Sequence, residues 1–154
     1  MSHSAVLSRF TDMDTSAEIA GATTAAAIGR GITVIRSLVL INLAFVALQP
    51  VSAGFFLSGY GRAVTIHRIV ALALQFGALA QAVTAVVLWR QRRIPARVAG
   101  MSIALVLMVF LQNGLGYSKR FWLHVPIGVG LFGGLIRQAG WLETLSRADS
   151  RDAG

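Results

Sequence analysis

The sequence predicts an all-α protein: an integral membrane four-helix bundle, up-down-up-down, built from two similar helical hairpins. Three observations lead there. Of 154 residues, 55% are hydrophobic and only 13% are charged, and the mean hydropathy is +0.68; a soluble domain of this size is less apolar. All six carboxylates lie near the ends (Asp12, Asp14, Glu18, Glu143, Asp149 and Asp152), so residues 19–142 contain none. Within that acid-free stretch, four apolar runs are separated by short basic segments.

Residues 1–31 are rich in Ala, Ser and Thr and carry three of the acids. They read as a mobile cytoplasmic tail with room for one short helix. They lack the basic start and apolar core of a secretory signal. A transmembrane domain over residues 32–141 follows, with spans expected at 37–57, 64–89, 98–117 and 121–141. Each is long enough for a hydrocarbon core about 30 Å thick, which takes about 17–25 helical residues. The loops between them, 58–63, 90–97 and 118–120, are short enough to force antiparallel neighbours. Pro50 falls inside the first span and predicts a kink beside Gln49; Pro126 falls early in the fourth. Residues 142–154 read as a polar cytoplasmic tail.

Orientation follows from the basic residues. Arg9, Arg30, Arg36, Arg90, Arg92, Arg93, Arg97, Arg137, Arg147 and Arg151 fall on one side, and Arg62, Arg68, Lys119 and Arg120 on the other. Ten against four places both termini in the cytoplasm of a multi-pass cell-membrane protein. Trp89 and Trp141 then mark the inner interface, and Tyr60, Tyr117 and Trp122 the outer one.

The composition also excludes chemistries. With no Cys there is no disulfide framework and no thiolate metal or redox site. Without carboxylates in the spans there is no acid pair for glycoside chemistry and no acidic Mg or Ca site. The pI near 11.7 does not indicate nucleic acid, because the basic residues are scattered between apolar runs.

The two hairpins carry matching landmarks. The first reads Leu48-Gln49-Pro50, then Gly59-Tyr60-Gly61-Arg62, then His67; the second reads Leu111-Gln112-Asn113, then Gly116-Tyr117-Ser118-Lys119, then His124. In both, a basic residue stands two positions after the Tyr and a His seven positions after it. Gln49 precedes Tyr60 by 11 residues and Gln112 precedes Tyr117 by 5, so the landmarks keep their order while the spacing shortens. Internal duplication is common in membrane folds.

His67 and His124 sit about one turn into the second and fourth helices, at matched depth near the outer leaflet. Those helices are diagonal in a four-helix ring, about 13 Å apart when neighbours are about 9 Å apart, a gap that two imidazoles with one iron between them fill. Ala71 and Ala78 on helix 2 and Gly128 on helix 4 leave room for a flat macrocycle. Arg62, Arg68, Lys119 and Arg120 stand at the same end, where haem propionates need cations. This reading is a single b-type haem ligated by His67 and His124, and a histidine inside an apolar helix is a functional hypothesis by default. The competing reading makes both histidines headgroup-level anchors left by the duplication. Zinc fits least, since two His fall short of its usual three or four protein ligands.

At these residues the chain resembles one half of haem A synthase, a family of two four-helix bundles with a His on the second and fourth helix of each. The resemblance rests on His67-Arg68 opening helix 2, Leu111-Gln112-Asn113-Gly114-Leu115-Gly116 closing helix 3, and His124 opening helix 4. It covers about residues 37–141 and implies a haem-binding bundle; cytochromes of the b561 type are a looser analogy. It does not imply haem A synthesis. The family's catalytic half carries a carboxylate in the loop after its first helix, whereas residues 58–63 have none.

Other motifs carry less. Gly128-Val129-Gly130-Leu131-Phe132-Gly133 satisfies G-x-G-x-x-G but follows no strand, and reads as close helix packing. Gly59-Tyr60-Gly61 echoes a potassium filter without the preceding Thr-Val. Gln75, Gln81 and Gln112 are intramembrane amides suited to interhelical hydrogen bonds; Gln49 and Gln112 could alternatively line a haem or quinone pocket. Met101 and Met108 read as core. The expected function is electron transfer or haem handling without catalysis, with membrane lipid around the bundle, a quinone or redox subunit as electron partner, and no nucleic acid. The alternative is a non-redox accessory or scaffold subunit without cofactor, binding a partner or its own copy through Gly- and Ala-rich faces.

Overall fold

In the computed structural model the chain forms four α-helices: α1 (His3–Leu57), α2 (Ala63–Arg90), α3 (Ala96–Tyr117) and α4 (Phe121–Asp152). The structure describes the backbone of residues 3–152 and the side-chain surroundings of residues 29–148, Gly21 and Thr23. Each helix packs on two neighbours, α1 on α2 and α4, and α3 on α2 and α4. The result is a four-helix ring with α1 opposite α3 and α2 opposite α4.

Three helices, over Gly29–Leu57, Ala63–Arg90 and Ala96–Tyr117, are long and apolar enough to cross a membrane. α4 does not reach the same apolarity, because its first 18 residues include His124, Pro126, Gly128, Gly130, Gly133, Gly134, Arg137 and Gln138. The outer surface is apolar along all four helices: Val34, Leu40 and Ile41 on α1, Ile69 and Phe76 on α2, Leu107 and Phe110 on α3, and Val129 and Ile136 on α4 are all exposed.

The helices extend further than the apolar spans. α1 runs 55 residues without a break from His3, where the sequence suggested a tail. No Pro precedes Pro50, and Ala-rich sequence propagates a helix once its apolar half is packed. At 1.5 Å per residue it is about 80 Å long, well over twice the hydrocarbon thickness. Likewise α4 continues past Trp141 to Asp152. Leu142 is fully buried, and Glu143 accepts an ion pair from Arg36 of α1 at 2.5 Å and another from Arg147 at 3.2 Å. Arg97 and Arg137 lie over the Trp141 ring at 5.4 and 5.0 Å. These contacts fasten α1, α3 and α4 together at the end of the bundle away from the histidines. Both prolines lie inside helices, Pro50 in α1 and Pro126 in α4.

α1, α2 and α3 end in the same turn. The N–H of Tyr60 donates to the carbonyl of Phe55, that of Arg93 to Leu88 and that of Arg120 to Leu115, with the preceding N–H groups donating to Phe56, Trp89 and Gly116. This is a Schellman ending, which needs one left-handed residue. Gly59 (φ 94), Arg92 (φ 59) and Lys119 (φ 57) supply it. Glycine adopts that conformation freely, whereas Arg92 and Lys119 hold a less favourable backbone but bring a cation to a helix C-terminus.

Duplication extends well beyond the sequence landmarks. Along α2 and α4, positions 57 residues apart match: His67/His124, Leu74/Leu131, Gly77/Gly134, Gln81/Gln138 and Arg90/Arg147. Along α1 and α3 the offset is 63, pairing Ile35/Val98, Val39/Ser102, Asn42/Leu105, Val46/Val109, Gln49/Gln112 and Ser52/Leu115. Apart from Gln49/Gln112, both members of each α1/α3 pair are buried. The offsets differ because the stretch from Gln112 to His124, helix ends and connection together, is shorter than that from Gln49 to His67.

Gly77 and Gly134 also match in role. A Cβ on Gly77 would collide with the Asn42 side chain of α1, and one on Gly134 would lie 3.1 Å from Leu105 of α3. Each glycine therefore lets its hairpin close at the same level.

Midway down the bundle, one fully buried polar layer joins all four helices. Asn42 Nδ2 donates to Gln81 Oε1 (2.8 Å), and Gln81 Nε2 donates to Gln138 Oε1 (3.0 Å). Gln138 Nε2 donates to Ser102 Oγ (2.6 Å) and to the Val98 carbonyl (3.1 Å). Nearer the histidines, Asn113 Nδ2 donates to Gln75 Oε1 at 2.7 Å.

Candidate functional site

His67 stands in the second turn of α2 and His124 in the first turn of α4. These helices are diagonal and their backbones stay apart, yet the two imidazoles meet across the bundle axis. Their ring centroids are 6.2 Å apart with planes inclined at 52°. Both rings are half-buried.

Each ring is held from behind by the hairpin's other helix. His124 Nδ1 lies 2.9 Å from the carbonyl oxygen of Gln112 on α3. His67 Nδ1 lies 3.3 Å from the carbonyl oxygen of Gln49 on α1 and 3.0 Å from Ser52 Oγ. Ser52 Oγ donates in turn to the Gln49 carbonyl at 3.0 Å. A carbonyl can only accept, so Nδ1 carries the proton in both rings. Nε2 is then the unprotonated nitrogen, with its lone pair free, and among the described residues neither Nε2 makes a hydrogen bond. The landmarks that matched in sequence, Gln49 with His67 and Gln112 with His124, are thus bonded pairs in space.

Gly116 shapes the second pocket. A Cβ there would lie 3.0 Å from His124 Cε1 and 3.2 Å from Nδ1, so the ring rests on bare backbone. Phe121 meets the other side of His124 edge-on, with centroids 6.5 Å apart. Gln112 packs its amide on Gly128, with Nε2 2.9 Å from where a Cβ would stand. The room beside Gly128 is therefore filled by Gln112, not left open as the small side chain suggested. The side-chain oxygens of Gln49 and Gln112 are both buried without a donor. The corresponding amides of both hairpins thus keep an unused acceptor beside the histidines.

Of the four expected cations, Arg62 lies in the α1–α2 loop, Arg68 follows His67 on α2, and Lys119 and Arg120 form the α3–α4 loop. All four are exposed, and among the described residues none forms an ion pair. They share the end of the bundle that carries the histidines.

Comparison with protein families, characterised proteins and solved structures finds no match to this chain. The reading of the site therefore stands on its own geometry.

The 6.2 Å centroid separation matches the span of two imidazoles with one metal ion between them. Two ring nitrogens bound at about 2 Å on opposite sides of one ion, with about 1 Å from each nitrogen to its ring centre, put the centroids about 6 Å apart. A site completed by protein ligands alone is not supported: among the described residues no group of three or more His, Cys, Asp or Glu converges. The equatorial ligands would have to come from a macrocycle. Sequence reasoning missed Ser52, Asn42, Ser102 and Gln138, and it named Gly116 as a landmark without its role beneath His124. Ser and Gly are too common in apolar helices to stand out without their partners, and the Gln81/Gln138 match needed the constant offset to be noticed.

Proposed function

We propose that the chain is an integral membrane up-down-up-down bundle that binds one b-type haem between His67 and His124 and acts in electron transfer or haem handling. The observation that carries this is the facing pair of imidazoles, 6.2 Å apart, with both Nδ1 atoms tied to backbone carbonyls and both Nε2 atoms unengaged. Such second-shell bonds fix the tautomer and ring orientation and raise the basicity of the ligating nitrogen. A structural histidine pair needs no such matched arrangement.

Bound there, haem supplies a one-electron carrier. The chain's own residues do the rest. His67 and His124 would hold the iron from both sides, which favours electron transfer over chemistry at an open iron site. Gln49 and Gln112 hold the rings, Gly116 gives His124 its seat, and Gln112 packs its amide on Gly128. Arg62, Arg68, Lys119 and Arg120 serve the anionic edge at the bundle end. The apolar outer surface and the distribution of Lys and Arg support a cell-membrane location with α4 as fourth span and both termini cytoplasmic. A single haem near one face does not reach across the bilayer, so a quinone or a redox subunit is the expected electron partner.

The test is optical. Protein purified from haem-replete cells should carry a Soret band and a b-type reduced-minus-oxidised spectrum, and His67→Ala or His124→Ala should remove or strongly weaken both. A second reading, a cofactor-free scaffold subunit, draws on Gly133 and Gly140, exposed along α4 with open space above them. It predicts a colourless protein.

A further inference from the structure

We infer that the α2–α3 loop is a binding site for the phosphodiester headgroup of an anionic phospholipid. The inference rests on the membrane placement proposed above and is independent of the haem. The loop carries Arg90, Arg92, Arg93 and Arg97 within eight residues. It borders a shallow, open depression of about 430 Å³ lined by Trp89, Arg92, Arg93, Ile94, Pro95 and Ala96.

The walls divide by chemistry. Ile94 is buried and, with Pro95, gives the depression an apolar side. Trp89, half-exposed at the end of α2, is the kind of ring that rests at headgroup depth. Arg92 and Arg93 form the cationic side, and a guanidinium fork matches phosphate oxygens in a bidentate way. Their backbone is fixed, because the Arg92 N–H donates to Trp89 at 2.8 Å and the Arg93 N–H to Leu88 at 2.9 Å. Arg93 also lies beside Gly31 of α1, its Nη1 3.9 Å from where a Cβ would stand, which aligns it along the bundle.

Charge accounting points outward. Glu143 is the one carboxylate among the described side chains, and it is engaged by Arg36 and Arg147. Arg97 and Arg137 rest on Trp141. Arg90 and Arg92 meet no carboxylate among the described residues, which leaves their charge available to an anion from outside the chain. At the end of apolar helices the available anion is the lipid phosphate, and basic pockets at such ends bind acidic headgroups.

The experiment uses the full chain extracted from membranes in detergent. Lipid retention is read by native mass spectrometry, and thermal stability is measured with added phosphatidylglycerol or phosphatidylcholine. The inference expects phosphatidylglycerol to be retained several-fold over phosphatidylcholine and to raise the melting temperature. Arg92→Gln/Arg93→Gln should abolish the preference, while Arg62→Gln/Lys119→Gln, which removes two charges at the other end, should keep it. Equal loss in both variants, or no preference in the unaltered protein, overturns the inference. If excess inorganic phosphate stabilises as well as the lipid does, the site is one for free phosphate and the lipid assignment falls. Should Arg92→Gln/Arg93→Gln fail to fold, the lipid comparison on the unaltered protein still decides. Release of the protein from membranes by alkaline carbonate would instead sink the membrane placement itself.

Discussion

The imidazoles of His67 and His124, on diagonal helices whose backbones stay apart, meet with centroids 6.2 Å apart. Each is gripped through Nδ1 by the carbonyl of a corresponding glutamine on the preceding helix. Two corresponding halves thus bring their histidines together on the bundle axis.

The grip on His124 depends on Gly116. Gly116→Ala places a methyl within 3.0 Å of the His124 ring and pushes the ligating nitrogen off axis. The expected result is a several-fold loss of haem content at a nearly unchanged helical circular dichroism signal. Gly114→Ala, in open space two residues earlier, should leave haem content unchanged.

On the other side, Ser52→Ala removes one of two partners of His67 Nδ1 but leaves the Gln49 carbonyl in reach. Haem should still bind, with faster loss to an apo-protein acceptor. Complete loss of haem would mean that Ser52, not the carbonyl, sets the ring.

The polar layer is predicted to matter for stability rather than for the cofactor. Gln138→Leu removes the 3.0 Å acceptor of Gln81 Nε2 and the 2.6 Å donor to Ser102 Oγ, leaving only the long 3.5 Å contact between Gln81 and Ser102. Leaving buried polar groups unpaired costs about 1–3 kcal/mol. Thermal unfolding in detergent should show this as a clear drop in melting temperature, while haem content, set some four helical turns away, holds.

Close packing gives a graded pair of outcomes. Gly77→Ala collides with Asn42, which is fixed in that layer, and overpacking of this kind costs about 1–3 kcal/mol. Gly133→Ala meets nothing within 4 Å and should be neutral in the same unfolding assay. Equal effects would contradict the assigned helix contacts.

Much of this was legible in the sequence and some was not. The acid-free apolar runs and short loops predict the helices, whose inner boundaries fall within two residues of expectation, because hydropathy and breaker residues are local signals. The two histidines stood out because titratable groups are rare in such runs. What stayed hidden was relational. Nothing local distinguishes Ser52 from any other helical serine, or reveals that the α1 carbonyl at Gln49 faces α2. The long α1 was also missed, since residues 3–28 carry too few apolar residues to signal a span and helix there continues from the packed part. α4 proved less apolar than its neighbours because it carries His124, Arg137, Gln138 and a run of glycines in one span.

The most direct measurement is the reduced-minus-oxidised absorbance spectrum of the purified protein beside its His67→Ala and His124→Ala variants. The account predicts a low-spin b-type spectrum at about one haem per chain in the unaltered protein and its loss or collapse in each variant. A purified, haem-replete protein without a Soret band, or one whose spectrum survives both substitutions, would contradict it.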